Sequence, residues 1–273
     1  MAIITISRQI ASFGDEVGTE LARLLGYSFI NRKMLEEDLI RHGIPESKLV
    51  VYDERKPGFW ASLARDRDEY FDYLREAFYE RAKNGNCVFI GRGGFAVFKD
   101  VPGSYSVRLV ASDEVRVARL MKEFSFSEKK AEALMQESDA NRRGFHKCFF
   151  NIDHDVSSSY SLVINTDSLT PELGAKIIRD ACTLSVNAVQ EAAGIERISE
   201  LLLAQKIVNH IVFDLKIPVH FLEATANASE IMLHGVADSS AVIEKVLSVA
   251  RSMAPNKKIS SGISIIQDYK SYP

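Results

Sequence analysis

The sequence predicts an α/β fold, with a parallel β-sheet covered by helices on both faces, followed by a small α+β domain. Two observations support this prediction. Over the first 190 residues, short apolar and β-branched runs alternate with longer segments of helical periodicity, as in sheets whose strands are buried on both faces. Beyond that point the predicted order becomes α-β-β-α-β, which no longer alternates strand with helix.

The predicted elements follow one another along the chain. In a first domain, residues 1–189, we predict strands 3–6, 87–90, 105–110 and 162–165, and helices 14–25, 33–41, 60–83, 112–123, 127–141 and 171–190. A helix end and a hinge at residues 190–195 precede a second domain, residues 196–273. That domain is predicted to hold helix 198–213, strands 219–225 and 229–234 joined by a turn at Asn227, helix 239–253 and strand 262–267.

Composition is typical of a globular protein. The 273 residues are 46% hydrophobic and 26% charged, and a net charge of −3 provides no general attraction to nucleic acid or anionic membrane. Cys87, Cys148 and Cys182 are widely spaced and odd in number, which favours reduced thiols without a disulfide framework. No apolar run approaches the roughly 20 residues that span a bilayer. The first apolar run is too short for a signal peptide, so we expect a cytoplasmic protein.

The first 25 residues read as a strand, a loop and a helix, an arrangement that holds phosphate groups on backbone N–H groups at a helix N-terminus. The loop departs from the pattern G-x-x-x-x-G-K-[ST], because it has no Lys at the expected place. Asp15 and Glu16 stand where an anionic phosphate would sit. Either carboxylate could lie on the metal side of a bound nucleotide; a lost or altered nucleotide site is the alternative.

A second glycine-rich turn, Gly91-Arg92-Gly93-Gly94, directly follows the predicted strand 87–90. Ligands bind at this end of the strands in open α/β sheets, and Arg92 can fork onto a phosphate. The alternative is a turn whose arginine is merely solvated. Further along, Arg142 and Arg143 could stabilise charge on a transferred phosphoryl group, or could belong to an exposed helix end.

One further segment has the residue types of a metal site. Asp153, His154 and Asp155 are consecutive, and successive side chains diverge in most backbones. We therefore predict a polar loop there and no metal site.

Residues 1–185 resemble the cytidylate-kinase-like proteins, a branch of the nucleoside monophosphate kinases with a P-loop NTPase-like fold. The resemblance rests on five segments in the same order. They are the opening Ile-Thr-Ile-Ser-Arg with its loop and helix, residues 27–35, residues 87–94, residues 107–111 with the following helix, and residues 139–145 followed by 160–166.

The resemblance implies ATP and Mg²⁺ as the donor and a pyrimidine monophosphate, CMP or UMP, as the acceptor. It implies nucleotide contacts by Ser7, Arg8, Ser12, Gly14, Asp15 and Gly18, acceptor contacts by Arg32, Gly91, Arg92, Gly93 and Asp139, and catalytic roles for Arg92, Arg142 and Arg143.

The sequence departs from the family within the first loop. Arg8 would partly replace the missing Lys, which the family itself tends to lack. Ala11 and Phe13 stand where relatives have Gly, and Asp15 stands where a basic residue is common. Non-glycine residues restrict the positive φ that a phosphate-binding loop commonly uses. We therefore expect these three residues to alter the backbone and the charge of the loop.

Residues 196–273 resemble a BON domain, a small α-β-β-α-β module. The resemblance rests on residues 230–238, where Gly235 suits a tight turn and Asp238 or Ser239 can cap the next helix, and on residues 241–253 and 263–266. It implies binding of a partner protein, a ligand or a second copy of the chain.

Two functions fit these observations. One is a nucleoside monophosphate kinase; the other is a catalytically inactive module that senses a nucleotide or another anion, with the C-terminal domain as output. The glycine-rich turn and the Arg142–Arg143 pair favour the enzyme, whereas Phe13, Asp15 and the missing Lys favour the sensor.

Overall fold

The computed structural model describes residues 2–51 and 64–266. The first four residues of the predicted helix 60–83, and Gln267 of the last predicted strand, lie outside the described residues. The chain divides into two compact units, Met1–Ile195 and Glu196–Pro273. None of the helices in the described residues combines the length and the apolar character needed to cross a membrane.

The N-terminal unit is built on a five-stranded parallel sheet in the order β2-β3-β1-β4-β5, which confirms the predicted fold class. Its strands are β1 (Ile3–Arg8), β2 (Ser28–Ile30), β3 (Cys87–Ile90), β4 (Ser104–Val110) and β5 (Leu162–Asn165). Its helices are α1 (Gly14–Leu25), α2 (Arg32–Arg41), α3 (Glu46–Val51), α4 (Ala64–Ala82), α5 (Gly94–Val97), α6 (Asp113–Phe124), α7 (Glu128–Phe150) and α8 (Pro171–Ser185), with the start of α9 (Ala188–Asn209).

Side chains alternate between the two faces of the sheet, and each face buries a different set of helices. Ile4 and Ile6 of β1 pack in one apolar cluster with Leu21 of α1 and Ile178 of α8. On the other face, Phe89 of β3 packs against Phe78 of α4, with ring centroids 5.1 Å apart. Helices on both faces therefore shield the strands from water, which explains their continuous apolar sequences.

Two predicted boundaries are wrong. Helix α7 continues past residue 141 to Phe150, because aromatic residues of its last turns pack against α4, as Phe149 does on Tyr70 with ring centroids 5.4 Å apart. The predicted helix 171–190 is two helices, and the expected hinge at 190–195 is helical. Asn187 and Gln190 each accept a hydrogen bond from the other's backbone N–H at 3.0 Å. This reciprocal pair starts a new helix where the sequence suggested an end.

The C-terminal unit has the predicted α-β-β-α-β order. Strands β6 (Val219–Ala226) and β7 (Glu230–Ala237) are antiparallel, and β8 (Lys258–Ile265) pairs in parallel with β7 after helix α10 (Ser240–Met253). Asn227 forms the predicted turn, since its side-chain oxygen accepts from the N–H groups of Ser229 and Glu230. The core of the unit is apolar and includes Ile207, Ile211, Ile231, Leu233 and Val246.

Candidate phosphate site

Strands β1, β3, β4 and β5 are parallel, so the loops that follow them open at one edge of the sheet. The loop after β1 runs over residues 9–13 and leads into α1 at Gly14. The first N–H groups of a helix have no intrahelical acceptor and favour an anion. This edge therefore has the backbone arrangement that binds phosphate groups.

The backbone of the first loop keeps a glycine-like conformation without glycine. Ala11 has φ 59° and Phe13 has φ 61°, both in the left-handed region. These are the two positions at which we expected a non-glycine residue to alter the loop, and that expectation is wrong for the backbone. The conformation costs roughly 1–2 kcal/mol at each such residue, so other contacts must impose it.

Two arginines of α6 hold the loop through its carbonyl groups. Arg116 Nε donates to Ile10 O at 3.0 Å, and Arg119 Nη1 donates to Ala11 O at 3.0 Å. The Arg119 guanidinium also lies 3.7 Å from the centroid of the Phe13 ring, within the range of a cation–π contact. Partial burial lowers the pKa of Arg119 from its ordinary value. The loop is thus fixed from outside, by side chains that follow β4.

Asp139 secures this support. Both carboxylate oxygens of Asp139 accept from Arg116 Nη2, at 2.8 and 2.9 Å, and the Arg116 residue is only 1% exposed. Asp113 is the other carboxylate on the same guanidinium, at 3.2 Å, and its side chain is 72% exposed. Asp139, predicted to contact the acceptor, is therefore engaged in positioning Arg116 and, through it, the loop.

A cavity of about 180 Å³ opens beside the loop. It is lined by four arginines, one histidine, one glutamine and two carboxylates: Arg8, Arg108, Arg142, Arg143, His154, Gln9, Asp139 and Asp155. The structure thus brings Arg8, Arg142, Arg143 and Asp139 together at one cavity, and the roles predicted for them stay predictions. Because arginines outnumber carboxylates here, and Asp139 already faces Arg116, the cavity suits an anion.

Arg108 is a residue of this cavity that sequence reasoning missed. It lies in β4 between the buried apolar residues Val107 and Leu109, and a charge at that place in a strand was the available signal. Its guanidinium donates to Ser7 Oγ at 3.1 Å and to the Asp155 carboxylate, and it lies over the ring of Tyr160. Burial raises the pKa of Tyr160, whose hydroxyl donates to His154 O at 2.8 Å.

The Asp153-His154-Asp155 segment does not diverge as expected. One ligand atom from each side chain lies within 4.8 Å of the others, because Asp155 N donates to Asp153 Oδ1 and turns the chain back. The Asp155 carboxylate pairs with Arg108, and the His154 ring stacks on His146 at 4.6 Å. The segment is a polar loop, as predicted, but one packed into the wall of the cavity.

The other residues predicted to contact the nucleotide differ in their exposure and in the part of the structure that they contact. Gly14 begins α1 beside Arg8, and a Cβ on Gly14 would lie 2.6 Å from Arg8 Cγ. Asp15 is exposed in the first turn of α1.

Ser12 is fully buried and its hydroxyl donates to Gln9 O and Leu109 O. Gly18 faces the core, since a Cβ there would lie 2.6 Å from Phe29 Cε2. Ser12 and Gly18 therefore shape the loop and pack its helix.

The second glycine-rich turn does not contribute to the lining of this cavity. Gly91, Arg92 and Gly93 have φ values of 74°, 54° and 76°, and Arg92 is 1% exposed. Its guanidinium donates to Tyr70 Oη at 3.0 Å and to Glu36 Oε1 at 2.6 Å. The expectation of a merely solvated side chain is therefore wrong, because Tyr70 and Glu36 engage Arg92 internally, whereas its contact with an acceptor phosphate stays a prediction.

The end of α7 covers the same turn. A Cβ on Gly93 would clash with the Phe150 ring, and the Arg92 guanidinium lies 5.9 Å from the centroid of the Phe145 ring. Arg32, the other predicted acceptor contact, donates from Nε to Glu36 Oε1 at 2.6 Å. The structure thus brings Arg32 and Arg92 together around a carboxylate of the same chain, that of Glu36.

The parallel five-stranded sheet, the loop at the start of α1 and the arginine-lined cavity define a protein with the fold of the P-loop kinases. Residues 3–168 match the cytidylate kinase-like family, so the chain belongs to that family. It is related to nucleoside monophosphate kinases.

Two curated relatives are cytidylate kinases. A cytidylate kinase of Thermoplasma acidophilum is 25% identical over 170 residues, which cover 62% of this chain and 85% of that protein. A cytidylate kinase of Pyrobaculum islandicum is 26% identical over 196 residues, covering 71% of this chain and 96% of that protein. Among solved structures, an uncharacterised protein of Eubacterium ventriosum superposes with a TM-score of 0.53 at 18% identity. That match covers 67% of this chain and 99% of the other.

Proposed function

We propose that this protein transfers the γ-phosphoryl group of ATP to a pyrimidine nucleoside monophosphate, CMP or UMP. A phosphate oxygen of the acceptor attacks the γ-phosphorus, the bond from that phosphorus to the β-phosphate bridging oxygen breaks, and ADP leaves with a nucleoside diphosphate as the second product. The observation that carries the proposal is the cavity lined by Arg8, Arg108, Arg142 and Arg143 next to the start of α1.

Each part of this edge has a role in the reaction. The loop after β1 and the N-terminus of α1 hold the triphosphate on backbone N–H groups, and the left-handed residues Ala11 and Phe13 support this fit. Arg8 takes the place of the missing Lys. Arg142 and Arg143 neutralise charge on the transferred group, which is the main demand of phosphoryl transfer. Arg108 is a positioning residue that fixes Ser7 and Asp155.

The side chains that could bind Mg²⁺ at this site are fewer than the arginines that could bind phosphate. The Ser12 hydroxyl donates to Gln9 O and Leu109 O, so it does not fit as a metal ligand. Mg²⁺ commonly keeps several waters and binds substrate phosphates with one or two carboxylates. Asp15, exposed in the first turn of α1, is the carboxylate we assign to this side of the nucleotide. The ion would add charge neutralisation to that of the arginines.

ADP formation from ATP, measured by a coupled assay with CMP, UMP and other monophosphates, tests the proposal. We expect turnover that depends on the acceptor and is highest with a pyrimidine monophosphate. Absence of turnover with every monophosphate, at enzyme concentrations near that of the substrate, would contradict it.

A second function, nucleotide binding without turnover, is favoured by one observation. Of the two arginines predicted to contact the acceptor, Arg92 is the buried one. Its guanidinium is hydrogen-bonded to Glu36 and Tyr70. A thermal-shift series with ATP, CMP and UMP, with and without Mg²⁺, separates the two functions when read beside the assay. Stabilisation by a nucleotide with no turnover supports the sensor, and no stabilisation by any nucleotide contradicts it.

For the C-terminal unit we propose a BON-like role in binding a protein partner or a second copy of the chain. Its α-β-β-α-β order supports the likeness, and Phe221, at the irregularity in β6, is 84% exposed. Light scattering of the full chain and of Phe221→Ser tests self-association. A concentration-dependent dimer that Phe221→Ser weakens supports the homodimer, and a monomer at all concentrations contradicts it.

A further inference from the structure

Glu36 connects the two arginines predicted to bind the acceptor. Its Oε1 lies 2.6 Å from Arg32 Nε and 2.6 Å from Arg92 Nη2. Arg32 and Glu36 are four residues apart on α2, and Arg92 comes from the turn after β3, so the contact joins two elements that follow neighbouring strands. One carboxylate oxygen thus accepts from two guanidinium groups, as an oxygen of a bound phosphate does at such sites.

The surroundings of Arg92 explain why an anion is needed there. The residue is 1% exposed and lies beside Tyr70 and the Phe145 ring. A buried guanidinium without a counter-charge is strongly unfavourable, so this position must hold a carboxylate or an anionic ligand. The side chain of Glu36 is 20% exposed and that of Arg32 is 35% exposed, so the anion stands on the solvent side of Arg92.

We propose that Glu36 occupies the place of the acceptor's phosphate group, and that a nucleoside monophosphate binds by displacing it. This inference rests on the proposed function, since it takes Arg32 and Arg92 as acceptor contacts. The phosphate brings a greater negative charge and more acceptor oxygens than a carboxylate, and both guanidinium groups can follow it. The Glu36 side chain has rotatable bonds and a route to solvent. Glu36 therefore sets the affinity for the acceptor and keeps Arg92 neutralised when none is bound.

Glu36→Gln tests this inference, with Glu37→Gln as the matched control. Glu37 is the next residue of α2, is 55% exposed at its side chain, and lies 4.0 Å from Lys33. Calorimetric titrations would use CMP, inorganic phosphate and ATP as separate probes. We expect Glu36→Gln to bind CMP roughly tenfold more tightly and phosphate measurably, with ATP affinity unchanged. Glu37→Gln should behave as the wild type with every probe.

An unchanged or weaker CMP affinity in Glu36→Gln would overturn the inference. If that variant does not fold, Glu36→Asp keeps the charge and shortens the side chain, and should strengthen CMP binding in the same direction but less. Failure of the proposed function is distinguishable. Tighter CMP binding by Glu36→Gln without any phosphoryl transfer supports this inference and contradicts the proposed enzymatic activity. Phosphoryl transfer by the wild type, with CMP affinity unchanged in Glu36→Gln, contradicts this inference alone.

Discussion

The loops after β1 and β3 lie side by side at one edge of the sheet. In each of them the sequence suggests one outcome for phosphate binding and the structure shows another. The loop after β1 has lost the expected lysine and two glycines, but Ala11 and Phe13 keep left-handed backbone and a basic cavity opens beside it. The turn after β3 keeps every expected residue, but its Arg92 is buried and bound to Glu36.

The difference shows that a loop can keep its shape without the residues of its sequence motif, and that an intact motif does not guarantee an open site. The first loop is held by Arg116 and Arg119, which bind its carbonyl groups from α6, so its shape no longer depends on its own glycines. The second turn is filled from α2 and α7, so intact residues do not leave it open. Each outcome is decided by side chains distant in sequence.

The largest expected effect is on catalysis at the first loop. Arg142→Ala removes a cation from the cavity and should lower kcat for phosphoryl transfer by roughly 10²–10³-fold. Lys147→Ala, at an exposed position on the same helix, is the control and should leave kcat unchanged. A smaller loss in Arg142→Ala than in Lys147→Ala would reverse our ranking of the two helix positions.

The next effect is on the support of that loop. Asp139→Asn leaves the buried Arg116 without its main counter-charge and should lower the free energy of unfolding by about 2 kcal/mol. Asp113→Asn removes the exposed partner of the same guanidinium and should cost under about 0.5 kcal/mol. Urea denaturation measures both. Equal losses would show that Asp139 does not anchor the loop in the way described.

A smaller effect concerns the backbone of the loop. Ala11→Gly removes left-handed strain of roughly 1–2 kcal/mol, partly offset by about 0.5–1 kcal/mol from glycine's greater freedom in the unfolded chain. We expect stability to be unchanged or about 1 kcal/mol higher. Ala118→Gly, in the exposed interior of α6, should instead cost about 1 kcal/mol. A comparable loss in both variants would contradict the left-handed conformation at Ala11.

A change in cysteine reactivity would report on the end of α7, which covers the second glycine-rich turn. Burial raises the pKa of Cys87 to about 12 and contributes most to raising that of Cys182 to about 11, so these thiols should react slowly near pH 8. Cys148, half-buried near the aromatic end of α7, should react first with a thiol reagent. Saturating CMP should change the Cys148 rate several-fold. Early labelling of Cys87 or Cys182 in folded protein would contradict the burial.

Much of the N-terminal fold could be predicted because its buried strands are largely apolar and alternate with segments of helical periodicity. The break between α8 and α9 was missed because the Asn187–Gln190 capping pair lies among good helix formers. At the site, Arg8, Arg142 and Arg143 could be found from local patterns. The charge of Arg108 within its strand was a local signal, but Arg108, Arg119 and Glu36 contact partners 56 to 108 positions away, and no local pattern identifies those partners.

The proposed function requires that the first loop and its cavity bind the nucleotide phosphates. Calorimetric titration of ATP with Mg²⁺ into wild type, Arg142→Ala and Arg92→Ala tests it most directly. We expect one saturable site in the wild type, with binding at least tenfold weaker in Arg142→Ala and little changed in Arg92→Ala. No binding to the wild type, or binding lost in Arg92→Ala and retained in Arg142→Ala, would contradict it.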